Sequence, residues 1–200
     1  MSRTAGSSGV KTLETIKKAA LRLIYEHGYD AMTLRGLANK VGIQQGSLYN
    51  YFKTKQELLF MLVSSHMEAL TEQQEKALAG IDDPVEALRT FIRFHIDYHI
   101  SRKHEVFVNY SELRSFTPEN YKIIADMRSQ YENRLIDIII KAQKAELVPQ
   151  YDAKVAAYGI LAMLTGICQW FNPKGRLSKE EVITTYMSMA LSALQVRASH

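Results

Sequence analysis

Apolar residues recur at three- and four-residue steps along almost the whole chain. Leu13, Ile16, Ala20, Leu23 and Ile24 form one stripe, which predicts a helix that stops at Gly28. Thr33 reads as the N-cap of a short second helix whose inner face is Leu34, Leu37, Ala38 and Val41, with Gly42 as its stop. A third short helix is predicted over 45–51. Thr54 and Glu57 have capping-box spacing and open a long helix toward Leu78. Pro84 and Pro118 each suit the first turn of a helix, giving helices over 84–100 and 118–146, with another near 103–114. A stretch over 152–172 is apolar almost all round. Ser178 and Glu181 form a second capping-box pair, opening a last helix to about residue 197. No strand pattern and no internal repeat interrupts this. The prediction is an all-α chain of about nine helices, with a small head over 1–55 and a larger body over 56–200.

Charge divides the chain at the same place. The net charge of +4 is modest, but residues 1–55 hold nine Lys/Arg against three Asp/Glu, and the remainder holds sixteen against eighteen. A basic head on a mildly acidic body suits an anionic partner, nucleic acid first, although a solvated charged face has the same signature. No run of about twenty apolar residues is present, so no membrane span is expected. The opening "MSRTAGSSGVK" lacks an apolar signal core, and a cytoplasmic protein with a flexible basic arm is expected. The single Cys168 lies in an apolar stretch and reads as a buried thiol.

The stretch "GIQQGSLYNYFKTKQELL", residues 43–60, mixes aromatics with small polar residues and lysines. Helical spacing turns Leu48 and Phe52 inward and leaves Gly46, Ser47 and Asn50 outward, with Tyr49 and Tyr51 on the flanks. Joined to the helix over 33–41 by a few residues containing Gly42, this is helix-turn-helix spacing, in which the second helix enters the DNA major groove. Gln44, Gln45 and Asn50 can bond bidentately to adenine, and Gly46 and Ser47 let the backbone come close. Thr33, Arg35, Tyr49, Tyr51, Lys53 and Lys55 suit phosphate contacts.

The segment "TLRGLANKVGIQQGSLYNYFKTKQELL" resembles the tetracycline-repressor-like (TetR) family of bacterial transcription regulators, through Thr33, Ala38, Gly42, Ser47, Leu48-Tyr49, Tyr51-Phe52, Lys55 and Leu58. One departure is Gly36-Leu37, where the family often has an acidic residue and Ile; this weakens the cap at Thr33. The resemblance implies a DNA-binding regulator, not an enzyme, that acts as a homodimer on a palindromic operator and answers to a small ligand, without cofactor or metal. In the family, two helices from each chain build the dimer interface. Here these are the last two predicted helices, through Ala156, Gly159, Met163 and Gly166 on one and Ile183, Tyr186, Met187, Ala190 and Leu194 on the other. The family's ligand pocket implies a lining drawn from Phe94, Tyr98, Phe107, Tyr110, Arg128, Tyr131 and Trp170.

The C-terminal part also resembles one branch of that family, through Arg128–Glu132 and "WFNPKGRLS", Trp170–Ser178. Several members of the branch respond to acyl-CoA thioesters, so a hydrophobic effector such as an acyl-CoA is expected, with Arg128, Arg134 and Arg176 as candidates for its phosphates. Asn172 stands where the branch often has Arg. Two other readings stay open. A repressor sensing lipophilic cations would want a carboxylate among aromatics, for which Asp97 and Glu112 are the candidates. A helical metal-dependent hydrolase would use His95 and His99, four apart on one helix face, although no HExxH is present.

Overall fold

The computed structural model describes residues 5–197, and all regular structure there is helical. The helices are α1 (Ala5–His27), α2 (Leu34–Val41), α3 (Gln45–Leu48), α4 (Lys55–Leu78), α5 (Pro84–Ser101), α6 (Lys103–Ser111), α7 (Pro118–Lys144), α8 (Ala153–Thr165), α9 (Ile167–Trp170) and α10 (Lys179–Ala193), with a 3-10 turn at Leu113–Ser115. The all-α expectation holds, and the caps sit where the sequence puts them. Thr33 accepts from the Gly36 N–H at 3.0 Å. Asp83 accepts from Glu86 N–H ahead of Pro84. Ser178 and Glu181 close both arms of a capping box. Thr54 accepts from Glu57 N–H, but the Glu57 carboxylate reaches back one residue further than a capping box does, to the Lys53 N–H at 2.6 Å.

Three boundaries differ from the periodicity. Residues 1–4 of the expected arm lie outside the described residues, and from Ala5 the arm is part of α1. The third helix is only Gln45–Leu48, and residues 49–51 form a turn. The apolar stretch expected as one helix breaks at Gly166 into α8 and α9, where glycine's low helix propensity is least resisted.

The chain forms two compact units. The first comprises residues 1–66 and 104–124, and the second comprises 67–103 and 125–200. The division therefore falls inside α4, and a segment from α6 to the start of α7 joins the head, which the expected cut at 55/56 does not anticipate. The core of the first unit is Ile16, Ala20, Ile24, Leu37, Leu48, Phe52, Leu58 and Leu59, all buried, with Val106, Val108 and Ile124 from the later segment. In the second, α5 packs against α8, α9 and α10, burying Leu88, Phe91, Ile92, Ile96, Leu135, Ile139, Leu164, Val182 and Ile183. Among the described residues no helix is long and apolar enough to cross a membrane.

Candidate nucleic-acid interface

In the first unit, Gly42 ends α2 in the left-handed region, φ 76°, where its N–H bonds the carbonyls of Ala38 and Asn39. A side chain at that φ is disfavoured, so glycine fits the stop. Ile43 N–H returns to the Ala38 carbonyl at 3.1 Å and turns the chain into α3. Gln44 is the extended N-cap of α3, and its side chain makes no capping bond. Leu48 is fully buried and Phe52 nearly so, and both the Tyr51 and Phe52 N–H groups bond the Leu48 carbonyl. Those two anchors fix which way a four-residue helix faces. Gln44, Gln45, Gly46, Tyr49 and Asn50 are exposed, and Ser47 and Tyr51 are half-buried beside them. Thr33, Arg35 and Lys53 are exposed as well. A Cβ placed on Gly46 would meet nothing within 4 Å, so no internal packing requires glycine there.

Lys55 departs from the rest of the set. Its ammonium donates to the Asp30 carbonyl at 3.1 Å and sits 4.2 Å from the centroid of the Tyr29 ring. These contacts fix where the ammonium sits and leave its charge and its other N–H donors for an anion. The partners that hold it, Tyr29 and Asp30, were not singled out from the sequence.

The second unit holds a buried polar cluster. His95 is fully buried; its Nδ1 pairs with the Tyr131 hydroxyl at 2.8 Å and its Nε2 with the Thr165 hydroxyl at 3.1 Å. His99 Nδ1–H donates to the His95 carbonyl at 2.8 Å, and the two imidazoles stack with centroids 3.7 Å apart. Burial, reinforced by His99, holds the His95 pKa well below its ordinary value, so the ring is neutral. Both nitrogens being engaged by hydroxyls, His95 has no lone pair to offer zinc. Among the described residues no three His, Cys, Asp or Glu side chains are grouped to hold a metal. That geometry offers the hydrolase reading no metal site among the described residues.

The seven expected pocket residues are divided between the two units. Tyr98 and Tyr131 are buried in the second unit, with Phe94 5.5 Å from the Tyr98 ring and the Arg102 guanidinium 3.9 Å from its centroid. Arg128 is half-buried there, and Trp170 is exposed, 6.1 Å from Tyr186. Phe107 and Tyr110 belong to the first unit, where Phe107 packs edge-on against Tyr25 at 4.9 Å. The carboxylates proposed for a cation are also engaged. Asp97 pairs with Lys179, and Glu112 accepts from the Ser115 hydroxyl and the Tyr29 N–H. Asn172, in place of the branch's Arg, accepts from Lys174 N–H and shapes the turn before α10.

The expected interface residues also divide. Ile183, Ala190 and Leu194 are buried in their own chain's core, since α10 turns that face inward. Ile183 and Ala190 thus pack within their own chain, and Leu194 reaches only a cleft beside α8. Ala156, Met163, Gly166, Tyr186 and Met187 are half-buried and Gly159 is exposed. Ala162 and Met189, which helical spacing also placed on these helices' interface, are exposed, as are Val155 and Tyr158, apolar groups that the spacing did not assign to it. Between α8 and the end of α10 runs an open cleft of about 480 Å³, lined by Val155, Ala156, Gly159, Met163 and Leu194 among others. Cys168, at α9, is partly buried, and burial pushes its thiol pKa up to about 11, so it is inert at neutral pH.

Residues 16–62 match the family model for bacterial regulatory proteins of the tetR family, and residues 81–194 match the model for the tetracyclin repressor-like C-terminal domain. The HTH-type transcriptional repressor KstR2 of Mycobacterium tuberculosis is 24% identical over 198 residues, covering 97% of this chain and 98% of that protein. The fatty acid metabolism regulator protein of Bacillus subtilis is 27% identical over 139 residues, covering 69% of this chain and 72% of that one. Among solved structures, AibR in complex with isovaleryl coenzyme A and operator DNA superimposes with a TM-score of 0.83 at 26% identity, covering 93% of this chain and 100% of that one. The regulator PfmR of Thermus thermophilus does so with a TM-score of 0.80 at 28% identity, covering 92% and 99%. With both halves matched by the family's models and a helix-turn-helix face exposed in the first, the chain belongs to the TetR family of DNA-binding transcriptional regulators.

Proposed function

We propose that the protein is a homodimeric repressor, released from a palindromic operator by an acyl-CoA thioester or its hydrophobic acyl part. The observation that carries this reading is the end-to-end similarity to AibR, whose crystal structure holds both isovaleryl coenzyme A and operator DNA. Two features of the chain agree with it. The exposed Gln44–Asn50 face suits base edges in a major groove, and a single head of that size needs a two-fold copy to read enough of them. The exposed Val155, Tyr158 and Met189, bordered by Gly159 and Ala162, make an apolar face of the kind that marks an interface. The engaged Asp97 and Glu112 favour an acyl effector over a lipophilic cation.

The effector must favour the conformation whose two heads mismatch successive grooves, and family-typical coupling is about 1–3 kcal/mol. Fluorescence anisotropy of a labelled operator, itself selected from random DNA by the protein, tests this. Isovaleryl-CoA is expected to weaken binding roughly 5- to 150-fold, with free CoA and free acid weaker. Indifference to every acyl-CoA, with release by a cationic dye, would replace the effector class. A protein that stays monomeric by native mass spectrometry would remove the dimer.

Gly46→Ala separates reading from folding. The added methyl meets nothing inside the chain, so the melting temperature is expected to hold or rise slightly. Operator affinity is expected to fall about tenfold, because the backbone can no longer approach the groove. Unchanged affinity would show that DNA does not pass over Gly46.

A further inference from the structure

The α1–α2 turn is held by a residue from far along the chain. Gly28 stops α1 at φ 82°, and its N–H bonds the Ile24 carbonyl at 2.8 Å. Tyr29 follows, almost fully buried, and its carbonyl accepts from Met32 N–H, which shapes the entry to α2. Its backbone N–H donates to Glu112 Oε1 at 3.4 Å, across 83 positions of sequence. The second oxygen of that carboxylate accepts from the Ser115 hydroxyl at 2.9 Å. The Ser115 carbonyl in turn accepts from the side-chain amide of Gln56, in the first turn of α4. Lys55, beside Gln56, covers the Tyr29 ring and holds the Asp30 carbonyl. Three short segments thus meet around one tyrosine: the turn after α1, the first turn of α4 and the 3-10 turn after α6. All lie within the first compact unit.

These bonds flank the reading helix on both sides in sequence. The Tyr29 turn sets where α2 begins, and the first turn of α4 receives the chain as it leaves Phe52. Between them, α3 is four residues long and anchored by two side chains. A helix that short has no stiffness of its own, so its pitch follows the ends to which it is tied.

We propose that Glu112 is a positioning residue for DNA reading: through the Tyr29 N–H and the Ser115–Gln56 link it sets the angle at which the helix-turn-helix meets the groove. It touches no DNA. The proposal needs the DNA-reading head alone and is independent of the effector.

A positional role and a merely structural one separate in the ratio of operator affinity to random-sequence affinity. Non-specific binding follows phosphate charge and tolerates a tilted helix, whereas base contacts do not. Full-length Glu112→Ala is expected to lower that ratio about tenfold, comparable to losing one good base contact, with random-sequence affinity held within about twofold. Glu112→Gln keeps an acceptor oxygen for the Tyr29 N–H and is expected to stay near the wild-type ratio. Gln56→Ala breaks the same link from α4 and is expected to lower it likewise, which covers the case of a Glu112→Ala protein that does not fold. An unchanged ratio in both alanine variants overturns the proposal. So does a proportional fall of both affinities with a lowered melting temperature, which is loss of folded protein. A wild-type protein that enriches no sequence from random DNA overturns the repressor reading along with it.

Discussion

Leu48→Ala is expected to abolish operator binding and to leave the unfolding of the second unit untouched. Leu48 is the fully buried member of a four-residue helix, and Phe52 is its nearest anchoring companion. Removing a buried leucine side chain costs about 2–5 kcal/mol where the surroundings cannot collapse. The loss falls on a small unit, whose core is correspondingly thin. Without it α3 has nothing to hold Gln44, Gln45 and Asn50 outward in register. Hydrogen exchange would show the amides of residues 43–53 losing protection while those of α8 and α10 keep theirs. Tyr49→Ala is the control, since Tyr49 is 49% exposed and its loss should weaken DNA binding without moving the melting curve. A Leu48→Ala protein that binds operator normally would mean that α3 is not anchored through this side chain.

The second large effect is in the other unit. His95→Ala removes a hydrogen bond from the Tyr131 hydroxyl and from the half-buried Thr165 hydroxyl, and opens a cavity beside Phe91 and Tyr131. The cavity left by a fully buried ring, with two lost hydrogen bonds, is expected to cost about 3–5 kcal/mol, read as a lowered melting temperature of the second unit. The same residue makes stability depend on pH. Burial holds the folded-state pKa of His95 well below the ordinary 6.5, so between those values the unfolded chain takes up a proton that the folded chain refuses. Its contribution is therefore complete above pH 6.5 and is lost as the pH falls below it, by up to about 1.4 kcal/mol per pH unit. Denaturant titrations at stepped pH should show this slope in wild type and a smaller one in His95→Gln, which keeps a donor and an acceptor but cannot titrate. Equal slopes in the two proteins would assign the acid sensitivity elsewhere.

Much of this was legible in the residues because it is local. Caps at Thr33, Thr54 and Ser178 depend on neighbours three positions away, and Leu48 and Phe52 declare themselves by helical spacing. The outward face of α3 follows from the inward one. What was not legible depends on partners far apart in sequence. Lys55 reads as a phosphate ligand, and its sequence neighbours give no sign that Tyr29 and Asp30 position its ammonium. His95 and His99 have the spacing of metal ligands, and only the arrival of Tyr131 and Thr165 shows that His95 serves two hydroxyls. On α10 the apolar residues outnumber the positions of one face, so the periodicity cannot say which of them look inward. The fold turns Ile183, Ala190 and Leu194 to the core and leaves Met189 outside.

The discontinuity of the first unit bears on how such a protein could exchange specificities. The backbone passes between the units at three points, after residues 66, 103 and 124. A reading head is therefore not a cassette that can be cut away at one junction. A chimera spliced within α4 would carry a new α1–α3 onto the old 104–124 segment, with a foreign turn facing Glu112 and Ser115. Recombination that preserves function would need to transfer both stretches together, or to keep the Tyr29 turn and the first turn of α4 compatible with the segment left behind.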